Sequence, residues 1–295
     1  MTTFPGLPNQ AQQQNPLSKF FRQPTIYFAL PSQGHWWSPG ALNMPVTGEL
    51  AVYPMTSKDE ILLRTPDALM NGQAMVDVIK SCIPEIVDPW KMPAIDVDSV
   101  LIAMRIASYG HQMDFEGTCP SCKETQTYAI DLRTLLDKIS VPDYDQPFVM
   151  DILSLKFKPQ IYQSLNRVNR TNFEIQRLAQ SIDELDDTDE NKVTATMTQM
   201  NRIVDMGHRV LAESTESITI MNPDGTPGDV VSDANYILDF YQNAGAKIIE
   251  SIQKAYSELS NQGNIPPQAA TCDKCNESYS MEITFDYANF FVRGS

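Results

Sequence analysis

Two cysteine turns constrain this chain more than anything else in it. Thr118-Cys119-Pro120-Ser121-Cys122-Lys123-Glu124 is followed by Tyr128, Ile130 and Leu132, and Thr271-Cys272-Asp273-Lys274-Cys275-Asn276-Glu277 by Met281, Ile283 and Phe285. The two segments align without a gap at an offset of 153 residues. Each reads as a Cys-x-x-Cys turn feeding a strand whose apolar residues alternate. Two such turns are the ligand set of a structural zinc site of the ribbon type. Thiolates suit zinc because it is a borderline-soft ion that accepts four sulfurs tetrahedrally, and the two-residue spacer lets both sulfurs of a turn face one ion. The spacing therefore predicts one structural zinc per chain on Cys119, Cys122, Cys272 and Cys275. Four thiolates leave no coordination position open for catalysis. Four reduced thiols without an ion are the plain alternative. A redox pair is disfavoured because neither turn sits in a βαβ context. Cys82, alone on an apolar helix, reads as a core thiol.

For distant turns to meet, the chain between them must form a closed excursion, and the expected class is α+β. Residues 1–24, rich in Gln and Pro, read as a flexible arm carrying Phe20 and Phe21. Residues 25–117 read as a small α+β region. A strand at Ile26–Leu30 leads into a turn-rich loop, Leu30 to Gly40, holding Trp36 and Trp37, and Glu49–Tyr53 returns as a second strand. Thr56 or Ser57 caps a helix through Leu63, Thr65-Pro66-Asp67 starts another, and Gly72 precedes a helix over Gln73–Ile83. Asp96 is expected to cap a helix over Val97–Tyr109 that ends at Gly110. Residues 118–147 and 264–295 make the split zinc-ribbon-like element.

Residues 148–263 read as a mainly helical insertion. An extended segment runs from Phe148 to Phe157. Ile161, Leu165, Val168, Asn172, Ile175, Ala179 and Ile182 then recur at spacings of four and three, as do Val193, Met197, Met200, Val204, Gly207 and Leu211. This predicts an antiparallel helix hairpin with those residues in its seam, Asn172 fixing register, and an acidic tip over 183–190. Ser217–Met221 reads as a strand closed by an Asp224-Gly225 turn. Ile237 to Leu259 reads as a third long helix with Gly245 as its weak point.

Charge decides between function classes. With 22 basic and 37 acidic residues the net charge is −15. That lacks the basic footprint a nucleic-acid binder needs to displace counterions, and it disfavours anionic lipid. No apolar run is long enough to span a membrane, and residues 1–15 lack the pattern of a secretory signal, so the chain is expected to be intracellular when made. His35, His111 and His208 are scattered with no partner for nucleophilic catalysis. No phosphate loop, nucleophile elbow or His-Glu-x-x-His appears. The expectation is a non-enzyme. Phe20, Phe21, Trp36 and Trp37 are candidate partner-binding aromatics; for the two tryptophans a core role is the competing reading.

One ordered series of motifs points further. Leu30-Pro31-Ser32-Gln33-Gly34, Pro39-Gly40, Tyr53-Pro54-Met55-Thr56, Thr65-Pro66-Asp67-Ala68-Leu69 and Asn71-Gly72 resemble the baseplate hub subunit, or hub assembly protein, family of large contractile-tailed bacteriophages of the T-even-like type. The resemblance is closest over residues 20 to 135. It implies a non-enzymatic role, either as a component that stays in the virion tail baseplate or as a transient assembly factor, in the host cytoplasm during assembly, with other baseplate hub or tail proteins as partners and no catalytic residues. The cysteine turns are not part of it. The competing class is a zinc-ribbon module that binds nucleic acid, perhaps in transcription, against which the net charge weighs.

Overall fold

The computed structural model describes residues 15–64, 72–183, 190–283, 285, 290 and 291. Strands β1 (Ile26–Ala29) and β2 (Glu49–Val52) pair antiparallel with Phe28 opposite Leu50. Their inward residues Phe28, Leu50 and Val52 are buried, as the alternation requires. Helix α1 (Ser57–Leu63) starts at a capping box: the Thr56 hydroxyl accepts from the Asp59 N–H, and the Asp59 carboxylate accepts from the Thr56 N–H. Helix α2 (Gln73–Cys82) follows Gly72, whose φ of +76° and contacts with Asn166 and Trp90 leave no room for a side chain. Helix α3 (Ala94–Tyr109) is the central element, with eleven buried residues. It starts three residues earlier than a cap at Asp96 would allow, with Pro93 in the cap position. Asp96 instead lies inside the first turn, turned into the protein. The arm is tied down before strand β1: Arg22 donates to the carbonyl oxygens of Pro54 (2.8 Å) and Ser81 (2.6 Å). Residues 1–14 of the arm and the Thr65-Pro66-Asp67 helix start lie outside the described residues.

Strands β3 (Gln112–Thr118) and β4 (Thr125–Asp131) form the first cysteine hairpin, and helix α4 (Leu132–Leu136) follows, capped by Asp131. The insertion then opens with strands β5 (Phe148–Met150) and β6 (Leu153–Phe157). The extended segment expected here is folded into a hairpin at Asp151, which adopts a φ of +50°. Helices α5 (Tyr162–Asp183) and α6 (Glu190–Ser214) run antiparallel, as expected. Arg167 pairs with Glu213 at 2.6 Å, Arg202 with Glu174 at 3.0 Å, and the Gln199 amide donates to the Ile175 carbonyl at 2.6 Å. Strands β7 (Thr215–Met221) and β8 (Pro227–Val231) complete a four-stranded antiparallel sheet in the order β5-β6-β7-β8. Phe148, Leu155, Ile218 and Val231 form one cross-strand row.

The seam differs from the one expected. Val193, Met197, Met200 and Val204 are 53%, 62%, 60% and 51% exposed, and Asn172 is exposed as well. Helix α6 meets α5 through the neighbouring face, where the smaller residues Ala195 and Thr196 are half-buried beside Gln199. A four-three apolar pattern defines a face but does not name what packs on it. Of the expected acidic tip over 183–190, residues 184–189 lie outside the described residues.

The third helix is also two. Helix α7 (Ala234–Asn243) stops at Ala244, and helix α8 (Ala246–Asn261) begins after Gly245; both intervening residues are extended, with ψ of 155° and 143°. Strands β9 (Gln268–Thr271) and β10 (Ser278–Met281) make the second cysteine hairpin.

Two cores result. The first joins α2, α3 and the β1–β2 pair to Met113, Phe115, Leu132, Ala270, Met281, Ile283, Phe290 and Phe291. The second, built from Tyr144, Leu155, Phe157, Leu211, Ile218, Ile237, Tyr241 and Ile252, takes Ile95 from α3. Arg105, buried in α3, donates to the Phe290 carbonyl at 2.6 Å and so holds the C-terminal return against the first core.

Candidate metal centre

The centre is assembled by two hairpins of the same local design. In the first, the Cys119 N–H donates to the Glu124 carbonyl (2.9 Å) and the Lys123 N–H to the Cys119 carbonyl (3.0 Å). In the second, the Cys272 N–H donates to the Glu277 carbonyl (2.9 Å) and the Asn276 N–H to the Cys272 carbonyl (2.8 Å). The residue after each second cysteine, Lys123 and Asn276, is left-handed at φ +60° and +58°. Asparagine tolerates that conformation readily; lysine does so less often. A matching side-chain bond closes the mouth of each hairpin, Thr118 to Thr125 and Thr271 to Ser278, both at 3.2 Å.

The hairpins face each other cysteine to cysteine. The sulfurs of Cys119 and Cys275 are 3.6 Å apart, as are those of Cys122 and Cys272, and all four ligand atoms lie within 4.8 Å of one another. A disulfide needs about 2.05 Å, and all four are free thiols. Zinc bonded to four sulfurs at about 2.3 Å would space them about 3.8 Å apart, so the donor set fits a tetrahedral ion. Cys119 and Cys272 are buried while Cys275 is exposed. The backbone N–H groups of Cys122 and then Ser121 favour the Cys119 thiolate, drawing its pKa from 9.0 down to about 7.

A polar and aromatic clasp surrounds the sulfurs. The Gln126 side-chain oxygen accepts from the Asp273 N–H at 3.0 Å, the Tyr128 hydroxyl donates to the Thr271 carbonyl at 3.2 Å, and Lys274 pairs with Glu124 at 2.6 Å. The rings of Tyr128 and Tyr279 meet edge to face with centroids 6.4 Å apart. Gly117 lets the hairpins approach: a Cβ there would sit 2.5 Å from the Met281 sulfur. Sequence reading missed these partners. It also missed the leading strands β3 and β9, although Met113, Phe115 and Gly117 alternate with polar neighbours over 112–118 and are buried in that pattern.

The other sequence candidates lie elsewhere. Phe20 and Phe21 are exposed at 72% and 58%, next to the anchored Arg22. Trp37 packs against the first core and donates its indole N–H to Asp96 at 2.8 Å. Trp36, left-handed at φ +62°, packs against the second core with its ring edge-on to Tyr144 at 5.4 Å. Asp96 also accepts from the Ser32 N–H (2.9 Å) and hydroxyl (2.5 Å), so one buried carboxylate anchors the Leu30–Gly40 loop to α3. Burial outweighs those three donors and pushes its pKa up to about 6. Cys82 is fully buried, and burial, then the Asp59 charge, push its thiol up to about 12, as suits a core residue. His35 is exposed, and His111 and His208 are half-buried. Among the described residues, the one group of three or more His, Cys, Asp or Glu placed to hold an ion is the four-cysteine cluster, and no helix is long and apolar enough to cross a membrane.

Compared with known proteins, the chain matches no curated protein and no solved structure. Residues 24–292 do match the family described as T4 bacteriophage base plate protein. That span takes in the Asp96-anchored loop, both cysteine hairpins and the whole insertion, and the chain belongs to the T4 bacteriophage base plate protein family.

Proposed function

We propose that this baseplate protein is a non-enzymatic structural or assembly component of the baseplate hub, acting by binding other hub or tail proteins. The family match over residues 24–292 carries that reading. The geometry supplies its mechanism. One zinc ion, held by Cys119, Cys122, Cys272 and Cys275, would tie together two hairpins 153 residues apart in the chain and so fix both ends of the insertion. Bound to four thiolates, the ion contributes stability and leaves no site for a reacting group. Phe20 and Phe21 are the partner-facing aromatics, exposed where the arm leaves its anchor; Trp36 and Trp37 serve by holding the loop between the two cores. A net charge of −15 favours protein partners over nucleic acid. Synthesis and assembly belong in the host cytoplasm, and the tail baseplate is the destination.

Elemental analysis of protein purified without chelator is expected to give one zinc per chain, and none after replacing Cys119 and Cys272 with Ser. Tagged protein captured from infected cells is expected to bring down hub or tail-tube proteins, with less recovered when Phe20 and Phe21 are both changed to Ser. Salt-sensitive binding to DNA or RNA with no tail protein recovered would overturn the assembly role. A metal-free chain that still recovers tail proteins would overturn the zinc alone.

A further inference from the structure

Helix α6 carries an apolar stripe that is exposed among the described residues. Val193, Met197, Met200 and Val204 follow one another at spacings of four, three and four, and each is more than half exposed. Ile203, 46% exposed, borders the stripe. Soluble proteins do not usually leave such a row open to water unless it is a contact surface. We propose that this stripe is where two copies of the chain pair, helix α6 against helix α6, antiparallel about a two-fold axis.

Three observations point to a second copy. The stripe is palindromic, Val-Met-Met-Val, about a midpoint between Thr198 and Gln199. An antiparallel two-fold pair therefore sets Val193 opposite Val204 of the partner subunit and Met197 opposite Met200 of the partner subunit, the self-complementarity an isologous interface requires. The stretch is also free of acids. In a chain with 37 acidic residues, residues 193–204 contain none, and their one charge, Arg202, is already paired with Glu174 at 3.0 Å. Two strongly acidic molecules can approach here without like charges facing each other. Finally, the stripe lies toward the end of α6 remote from the second core, which the helix enters through Leu211 and Ala212. Antiparallel pairing places the two acidic bodies at opposite ends of the paired helices; parallel pairing would set them side by side. The row spans about 17 Å of helix and supplies far fewer than the roughly 20–30 residues per side of a standard interface. The isolated pair is accordingly expected to be weak, with a Kd on the order of 10–100 µM.

Sedimentation of the full chain tests this. The parent is expected to shift from monomer to dimer as its concentration rises to a few hundred micromolar, a few times the upper bound of that Kd. Met197→Glu with Met200→Glu is expected to stay monomeric throughout, with an unchanged melt because both side chains are exposed. For orientation, Val193→Cys and Val204→Cys proteins are mixed with a short bis-maleimide. Cross-links between the two variants, above the background of the parent and absent from either alone, are the expected result. A parent that remains monomeric, as it would if the stripe served only a helix of another baseplate protein, overturns the proposal. So does a double Glu variant that still dimerises, and self-linking of the Val193→Cys protein overturns the antiparallel arrangement.

Discussion

Asp96 shows how one residue can be misassigned by local rules and still be structurally central. An aspartate just before an apolar run is a standard helix cap, yet here it faces inward and receives the Ser32 and Trp37 donors. Its position makes a pH prediction. The carboxyl is about 6 in the folded protein against 3.8 for an unperturbed aspartate. Between those values the folded chain holds a proton that the unfolded chain has released, so this group's contribution is fully present below about pH 4 and is lost as pH rises through 6. The two-unit span corresponds to about 3 kcal/mol at most. Other carboxylates titrate too, Asp131 being held near 2 by Arg133 with the opposite sign, so the comparison must be differential. The stability of the parent relative to Asp96→Asn is expected to fall between pH 4 and pH 7, measured by urea melts at each pH; a constant difference would show that Asp96 does not titrate in that window. Gly117 makes a second prediction at this scale. Gly117→Leu would drive a side chain into the Met281 and Tyr279 contacts and is expected to cost about 1–3 kcal/mol, with the loss appearing in thermal melts and in faster proteolysis at the cysteine hairpins. A melt equal to the parent's would mean the hairpins do not meet there.

At the scale of elements, the break between α7 and α8 offers the sharpest test. Ile237 to Leu259 reads as one apolar-periodic run, but Gly245 has φ −63° and ψ 143°, a Cβ there meets nothing within 4 Å, and Ala244 before it is extended. These are the dihedrals of proline and of the residue that precedes it. Gly245→Pro is therefore expected to stabilise the protein by about 0.4–1 kcal/mol through the unfolded state, where a continuous helix would lose about 3 kcal/mol. A drop in Tm would restore the single helix. The same contrast explains what was legible beforehand. Strands β1 and β2, the Thr56 cap, the antiparallel hairpin and the cysteine turns were readable because each is set by neighbours in the sequence: alternation, capping chemistry, periodicity, spacing. The seam between α5 and α6 was not, because Val193 and Met200 share the period of Leu211 while only Leu211 reaches a core. The clasp of Tyr128, Gln126 and Thr271 was not either, since it joins residues more than 140 positions apart. Of the metal centre itself, the ligand types and spacing were visible, and the meeting of the two pairs was an inference from their matching flanks.

Across the whole molecule, the two cores share no buried residue, and the strands that carry the cysteine turns pack on the first of them. That arrangement predicts how the protein responds to losing metal. Structural zinc contributes about 10–16 kcal/mol in small peptides, comparable to the whole stability of an ordinary domain. In a small ribbon its removal unfolds everything. Here the hairpins have other anchors: Met113, Phe115, Ala270 and Met281 are buried in the first core, and the Tyr128–Tyr279 clasp spans the gap. The second core is bounded by its own sheet and by α6, α7 and α8, and it contacts the first through α3, where Ile95 crosses over. Chelation, or Cys119→Ser with Cys272→Ser, is therefore expected to release a part of the structure and leave the rest folded. Hydrogen exchange should accelerate over 112–131 and 268–281, the four strands that hold the cysteines, while 153–157, 215–221 and 246–261 keep their protection. A chelated protein that loses protection evenly in both sets would show that the cores are a single cooperative unit whose stability depends on the ion. One that loses none would show that packing alone closes the hairpins and that four thiols at tetrahedral spacing do no structural work.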